Sequence, residues 1–307
     1  MSESRPFITV LMATYNEKEN YLKEAVESIL NQTYGNFEFL ICDDSTNQET
    51  KDILDEFTKV DKRVRIIRAP ERLGFVKSLN EGLRQAKGEW IARMDSDDIA
   101  FPNRFEEEIK FIGQGVGAIG SECITVNGQG KIQGKFIKTP YRWYQTKLYL
   151  WLGKTPIVHP TALINKELLL SQGGYDVNFK VVEDFDIWIR LVQESKLINV
   201  PKPLLYYRVH ETNVHLLKAD LIRKVLCVGM IKYALGIKRP LSKKEYEKLE
   251  NHVESSAFFK SVKIENYNKN SIKILLKIGI YPELPMLFFS IYYRIFRMMY
   301  RKQIIDK

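Results

Sequence analysis

The sequence predicts an α/β protein whose sheet is mostly parallel and covered by helices. Short apolar runs alternate with helical stripes from Phe7 to Val126, and that β-α-β-α order is the pattern of crossover-linked strands. Acids stand directly after two of the apolar runs, Asp43-Asp44 and Asp95-Ser96-Asp97-Asp98, where an open α/β sheet presents ligand-binding groups. The composition, 45% hydrophobic and 28% charged over 307 residues, supports one large or two small domains with an ordinary core.

Taken in order, Phe7 to Ala13 reads as a strand. Tyr21, Leu22, Ala25, Val26, Ile29 and Leu30 make a helical stripe, and Phe37 to Cys42 is a second strand. Ile53, Leu54 and Phe57 mark a helix, Val64 to Ile67 a strand, Val76 to Ala86 a helix, and Trp90 to Met94 a buried strand. Asn103 to Ile112 reads as helix and Val116 to Val126 as strand. Gly115-Val116-Gly117-Ala118-Ile119-Gly120 matches G-x-G-x-x-G by letter, but it follows a helix and opens a strand, the reverse of a dinucleotide fingerprint, so these are expected to be turn glycines. Gly128 to Gly153 breaks the pattern with Tyr141, Trp143, Tyr144, Tyr149 and Trp151 close together. Such side chains stack on sugar rings, sit at a membrane interface or pack in a core, and the sequence leaves all three open. Val158 to Ile164, a short helix from Lys166, a Gly173-Gly174 turn and a helix from about Asp184 to Gln193 complete this half; beyond Leu216 the chain reads as helical and basic.

Cys42, Cys123 and Cys227 are isolated, which argues against a disulfide framework or structural zinc and fits a reducing compartment. The apolar run at the N-terminus is too short for a signal peptide, so a cytoplasmic location is expected. Of the net charge of +9, the segment from Ser255 to Lys307 supplies +7, from ten Lys/Arg against three Asp/Glu. Within it, residues 284–305 carry no acid, place Arg294, Arg297 and Arg301 on one side of a helix and Phe288, Tyr292, Phe296 and Met299 roughly opposite. Prolines and arginines interrupt the run too often for a span, so the expectation is an interfacial helix giving peripheral contact on the cytoplasmic face of a plasma membrane. No binding motif accompanies the charge, and nucleic acid is not an expected partner.

Asp95 and Asp97 are one residue apart, so in extended backbone both carboxylates face one way and can share a divalent ion. Two carboxylates suit Mg²⁺ or Mn²⁺, which completes its shell with waters and substrate phosphates. Asp44 either accepts a hydrogen bond from a base or ribose, or caps the helix that follows. Glu183 and Asp184 are favoured in a helix's first turn by the macrodipole and also suit a general base acting on a hydroxyl.

Val10-Leu-Met-Ala-Thr-Tyr-Asn16, Ser28-Ile-Leu-Asn-Gln-Thr33, Ile41-Cys-Asp-Asp44, Leu79-Asn-Glu-Gly-Leu83, Ala86-Lys-Gly-Glu-Trp-Ile91, Asp95-Ser-Asp-Asp98, and Gly173-Gly-Tyr-Asp176 followed by Glu183-Asp184 form an ordered set that resembles glycosyltransferase family 2, over roughly Phe7 to His210. The resemblance implies a GT-A fold, an inverting displacement and a nucleotide-sugar donor, expected to be UDP-linked. It divides the chain into a catalytic domain at 1–215, with a nucleotide-sugar half at 1–126 and an acceptor half at 127–215, followed by a helical extension at 216–307. Carried over by residue, Tyr15 and Asp44 contact the nucleobase, Asp95 and Asp97 form the metal-binding D-x-D pair with Asp97 the direct ligand and Asp95 closer to the ribose and phosphate, Asp184 is the base supported by Glu183, and Trp188 borders the acceptor. His210 falls in the region where a further metal ligand sometimes occurs, and Arg208 beside it could neutralise phosphate charge; His159 is expected to be structural. Cys42-Asp43-Asp44-Ser45-Thr46 lacks the family's usual glycine after the acids, and Ala13 replaces a hydroxyl residue found in some members. The absence of a Q-x-x-R-W motif after Asp184 argues against a processive synthase. The expected acceptor is a glycan, lipid-linked, in assembly of a bacterial surface polysaccharide. A sugar nucleotidyltransferase and a non-catalytic transferase-like scaffold are the competing readings; the first lacks its glycine-rich loop at Ala13-Thr14-Tyr15-Asn16, and the second does not require both acidic clusters.

Overall fold

The computed structural model describes residues 7–151, 153–211 and 219–255. The segment 284–305, expected to be interfacial, lies outside the described residues, and no described helix is long and apolar enough to cross a membrane.

Strand β1 (Ile8–Thr14) is buried along its whole length and sets the layout. Ile8, Val10 and Met12 join one core cluster while Leu11 and Ala13 join the other, the two-residue period of a strand covered on both faces. β1 pairs in parallel with β2 (Phe37–Asp43) on one side and β4 (Trp90–Met94) on the other, and β2 pairs in parallel with β3 (Val64–Ile67). Helices α1 (Glu19–Leu30) and α2 (Gln48–Val60) bury Leu22, Val26, Ile29, Ile53 and Leu54 on the face of Val10; α3 (Phe75–Gln85) buries Val76, Leu79 and Leu83 on the face of Leu11. Right-handed crossovers require this division, because the chain steps outward from β1 to β3 and then returns past β1 to β4. The reversal opens a crevice at the C-terminal ends of β1 and β4, the place where such sheets bind ligands.

The second half is mixed. It comprises β5 (Ile99–Ala100), α4 (Arg104–Ile109), β6 (Val116–Asn127), β7 (Ile132–Ile137), α5 (Trp143–Trp151), a 3-10 turn at His159–Thr161, β8 (Leu163–Asn165), α6 (Lys166–Ser171), α7 (Glu183–Leu191) and β9 (Lys196–Val209). The sheet order is β3-β2-β1-β4-β8-β6-β9-β5, with β7 also on β6. β8 runs antiparallel to both β4 and β6, whereas β6 and β9 are parallel. The interrupted region from Gly128 to Gly153 therefore contains an edge strand and a helix. Of the three glycines expected in a turn, only Gly115 has the positive φ of one, +75°. Gly117 and Gly120 lie inside β6, where an added Cβ would collide with Ser195 and Leu168 or with Asn199 and Ile157. They are packing glycines, not turn glycines.

Helices α8 (Ala219–Ala234) and α9 (Lys243–Ser255) are part of the same core, not an appendage to it. Val225, Val228, Ile231 and Leu249 share a cluster with Leu11, Leu79, Phe185 and Trp188, so the boundary expected at residue 215 does not separate two cores.

Candidate active site

The acids after β4 close into one group. Ligand atoms of Asp95, Asp97 and Asp98 lie within 4.8 Å of one another. Three carboxylates this close repel unless a proton or a cation is shared among them. Asp98 is buried; its Oδ1 accepts the backbone N–H of Arg208 at 2.8 Å, but its Oδ2 is buried with no partner among the described residues. Burial first, then the charges of Asp97 and Asp95, push its carboxyl well above the ordinary range. An orphaned buried oxygen beside two half-buried carboxylates, all hard oxygen donors, fits a divalent cation. Asp97 and Asp95 would hold it, with Asp98 behind them.

His210 is brought to this group, its Nε2 2.8 Å from Asp97 Oδ2. Arg208 is placed otherwise than expected. Its guanidinium is buried over the Tyr21 ring at 4.3 Å, donates to the Asp97 carbonyl at 2.6 Å and the Gly128 carbonyl at 3.3 Å, and pairs with Glu24. It braces the acidic loop from behind and does not present its charge to a phosphate, because β9 ends with that side chain turned toward α1.

The nucleobase candidates form a second group at the ends of β1 and β2. Asp44 accepts the N–H groups of Leu73 and Gly74 at 2.8 and 2.7 Å, fixing the turn into α3, where Gly74 has φ +79°. Tyr15 is 43% exposed, and Arg72, 3.8 Å from the Asp44 carboxylate, lies over its ring at 3.8 Å. Asn16, with a positive φ of 49°, accepts the N–H of Thr46 at 2.8 Å and of Asn47 at 3.1 Å, tying the loop after β1 to the loop after β2. Asp43, by contrast, points away to Arg68 at 2.7 Å. Arg72 and Asn16 were not anticipated: a loop arginine and an asparagine carry no spacing signal.

Arg93 pairs with the D-x-D group and feels the charge of the first α7 acid. Strand parity turns Arg93 to the face of Ile91, into the core beneath α7. There it is fully buried, pairs with Asp95, and donates to the Met94 carbonyl. Burial opposes its charge, while Asp95, Tyr175 and Glu183 support it. The Tyr175 phenol is pushed far up, first by burial and then, against the opposing pull of Arg93, by Glu183, Asp184 and Asp95. Both acidic clusters thus act on one buried tyrosine. His159 is part of this assembly, with Nε2 3.0 Å from Tyr175 Oη and Nδ1 3.5 Å from Glu183 Oε1. Asp184 itself is half-buried at the start of α7, and its Oδ1 accepts the Phe185 N–H at 2.7 Å.

Trp188 does not border an acceptor space. It is fully buried, edge-on to His159 at 6.2 Å, with its indole N–H unpartnered among the described residues. Nearly every residue of α7 is buried because the helix is enclosed between the sheet and α8, so a position one turn after Asp184 falls in the core. Glu17 was also missed. Its Oε2 accepts the Ser96 hydroxyl at 3.1 Å, and burial followed by the charge of Asp97 raises its carboxyl.

With this geometry in hand, the sequence matches the profile of Glycosyl transferase family 2 over residues 9–172, more than half the chain, and that of Glycosyltransferase like family 2 over residues 155–261. The chain belongs to glycosyltransferase family 2. It is 33% identical over 209 residues to the O-antigen biosynthesis glycosyltransferase WbnJ of Escherichia coli, covering 66% of this chain and 80% of WbnJ. Among solved structures it superposes on S. aureus TarS 1–349 in complex with UDP-GlcNAc with TM-score 0.59 at 21% identity, covering 84% of this chain and 76% of that one. It also superposes on the mannosyltransferase PcManGT of Pyrobaculum calidifontis, in complex with GDP-Man and Mn²⁺, with TM-score 0.57 at 19% identity, covering 99% and 89%. The fold of this family 2 glycosyltransferase is GT-A, and Asp95, Asp97 and Asp98 of its D-x-D motif stand just after β4, at the crevice.

Proposed function

We propose that this chain is an inverting, metal-dependent glycosyltransferase that moves one sugar from a UDP-linked donor to a hydroxyl of a glycan acceptor, lipid-linked, in bacterial surface-polysaccharide assembly. The observation that carries the reading is the grouping of Asp95, Asp97 and the Asp98 oxygen that has no partner among the described residues, at the sheet's reversal point and paired through Asp95 with buried Arg93. An in-line displacement needs a holder for the leaving diphosphate and a base on the opposite face of the anomeric carbon, and the two acidic clusters offer a candidate for each.

In this reading Tyr15, Arg72 and Asp44 line the base, with Arg72 free to move from the Tyr15 face so that the base stacks there. Asp95 and Asp97, with His210 alongside, hold Mn²⁺ or Mg²⁺, which when bound supplies Lewis-acid stabilisation of the leaving diphosphate. Asp184 takes the acceptor's proton as its oxygen attacks the anomeric carbon from the opposite side, and Glu183, held against His159, keeps α7's first turn in position. The relationship to WbnJ supports the polysaccharide setting, and the nucleotide sugars bound by TarS and PcManGT support the donor class. Residues 284–305 supply peripheral membrane contact, supported by their sequence alone; an unchanged membrane fraction after their deletion removes that part.

The test is thermal shift and slow donor hydrolysis across a panel of nucleotide sugars with Mn²⁺, Mg²⁺ or EDTA. Stabilisation by one donor that depends on the cation is expected. Folded protein that responds to none of the donors overturns the reading.

A further inference from the structure

Half of the large hydrophobic side chains exposed among the described residues fall in one short stretch: Ile132, Phe136, Tyr141, Trp143, Tyr144 and Leu148. Single exposed apolar residues need no explanation, but a concentration of them does. The same stretch is unusual in charge. Between Glu122 and Glu167 the chain has no acidic residue and seven Lys and Arg. Lys131, Lys138 and Arg142 are exposed, so the aromatic surface of β7 and α5 is also cationic.

The two kinds of side chain are arranged together. Lys147 Nζ lies 4.8 Å from the centre of the Trp143 ring, and Arg142 donates to the Tyr144 hydroxyl at 3.2 Å. α5 is anchored from the other side by Thr146, whose hydroxyl donates to the Leu197 carbonyl at 3.0 Å, and by fully buried Leu150. Tyr144 and Leu148, one turn apart, are left outward. The helix is therefore fixed by its inner side, and its aromatic side has no partner in the described fold.

We infer that the β7–α5 face, with Trp143 and Tyr144 at its centre, is a docking surface for an anionic lipid bilayer. Tyr and Trp have apolar bodies and polar tips that suit the headgroup level, and Lys and Arg beside them are attracted to anionic lipid. Charge argues against the other occupants. A second copy seated face to face would set cations against cations, and residues 284–305 of this chain carry arginines and no acid. An anionic surface neutralises the patch, and a bilayer also receives its rings. The inference rests on this surface and not on the proposed reaction.

The experiment uses the full chain and vesicles of phosphatidylcholine with or without phosphatidylglycerol, including brominated lipids that quench tryptophan. Of the four tryptophans Trp90 and Trp188 are buried, so with Trp151→Phe as the background Trp143 is an informative reporter. Brominated anionic vesicles should quench fluorescence, and the Trp143→Phe variant should lose most of that quenching. Arg142→Gln/Lys147→Gln should weaken vesicle binding severalfold, and so should raised ionic strength. An unchanged melting temperature in each variant shows that the fold is retained. Vesicle binding in which Trp143 contributes no quenching assigns the contact to residues 284–305 and overturns the inference. Absence of binding, or equal binding to neutral vesicles, also overturns it.

Discussion

Lys232 of α8 and Asp186 of α7 form an ion pair with both side chains fully buried, and the same ammonium reaches Asp176 at 3.2 Å. Arg190 completes the network from one turn along α7, pairing with Asp186 at 2.6 Å and donating to the carbonyls of Gln172 and Gly174. Two carboxylates therefore meet two cations, and the turn through Gly174, Tyr175 and Asp176 is fixed to the helix that begins with Glu183 and Asp184. α8 thus enters the site's architecture without touching the crevice.

Lys232→Met should cost about 3–5 kcal/mol of stability, because it leaves a buried carboxylate without its cation. Urea unfolding of the variant against the parent reads this directly. A loss under about 1 kcal/mol would mean that Arg190 alone neutralises the cluster and that α8 is not needed to hold α7.

The Asp97–His210 contact separates metal ligands from their supports. Saturating Mn²⁺ should raise the melting temperature of the parent, since a ligand at a hundred times its Kd stabilises by about 2.7 kcal/mol. Asp97→Asn should abolish that shift. His210→Ala should weaken the apparent affinity about 10–100-fold without abolishing it, as expected of a residue that orients a carboxylate or adds one further ligand. Calorimetric titration checks both, and an unaltered Mn²⁺ response in Asp97→Asn would remove the cation from this site.

α9 opens with a reciprocal cap. The Ser242 N–H donates to Glu245 at 2.8 Å and the Glu245 N–H donates to the Ser242 hydroxyl at 3.3 Å, while Arg239 grips the same carboxylate at 2.6 and 3.0 Å. The Arg239 hydrogen bonds hold the Glu245 carboxyl down to about 2, from an ordinary 4.5. For an acid depressed on folding, the stabilisation is present above the ordinary value and fades as pH falls toward the folded one. Melting temperatures of the parent and Glu245→Gln should therefore differ most at neutral pH and converge between about 4.5 and 2. A gap that stays constant across this range would show that the carboxylate's charge is not what stabilises the cap.

Much of this was legible, and the residues that were not share a cause. The parallel half follows from alternation, with Val64–Ile67 and Trp90–Met94 bounded as the sequence reads them. β9 gave no clear period because Pro201 and Pro203 interrupt it, and its pairing with β6 shifts register near Ser121 and Glu122. Spacing sets Asp95 and Asp97 together, and the family resemblance points to His210 and the α7 acids, but neither carries a direction for a side chain. Arg208 and Trp188 stand beside site residues and turn into the protein, where Glu24 and the core of α7 wait for them. Arg93 reads in the sequence only as part of an apolar run, yet it is fully buried and pairs with Asp95 of the D-x-D group.

Asp184 is the remaining decision. It starts α7, is half-buried, and is tied by Oδ1 to the Phe185 N–H, so replacing its carboxylate by an amide preserves size and burial and removes the proposed base. If Asp184 takes the acceptor's proton, Asp184→Asn should lower kcat by about 10²–10⁴-fold, the usual worth of a positioned base. Donor-induced stabilisation should stay unchanged, because the proposed reading places the donor at Asp95, Asp97 and the Tyr15–Arg72–Asp44 group and not at Asp184. Glu183→Gln should act differently: Glu183 is buried against His159, so its loss disturbs how α7 sits and should affect melting temperature as well as rate. Single-turnover transfer, with donor binding measured separately, distinguishes the two. Full turnover in Asp184→Asn would move the base elsewhere, with Glu183 and then Glu17 next to be substituted.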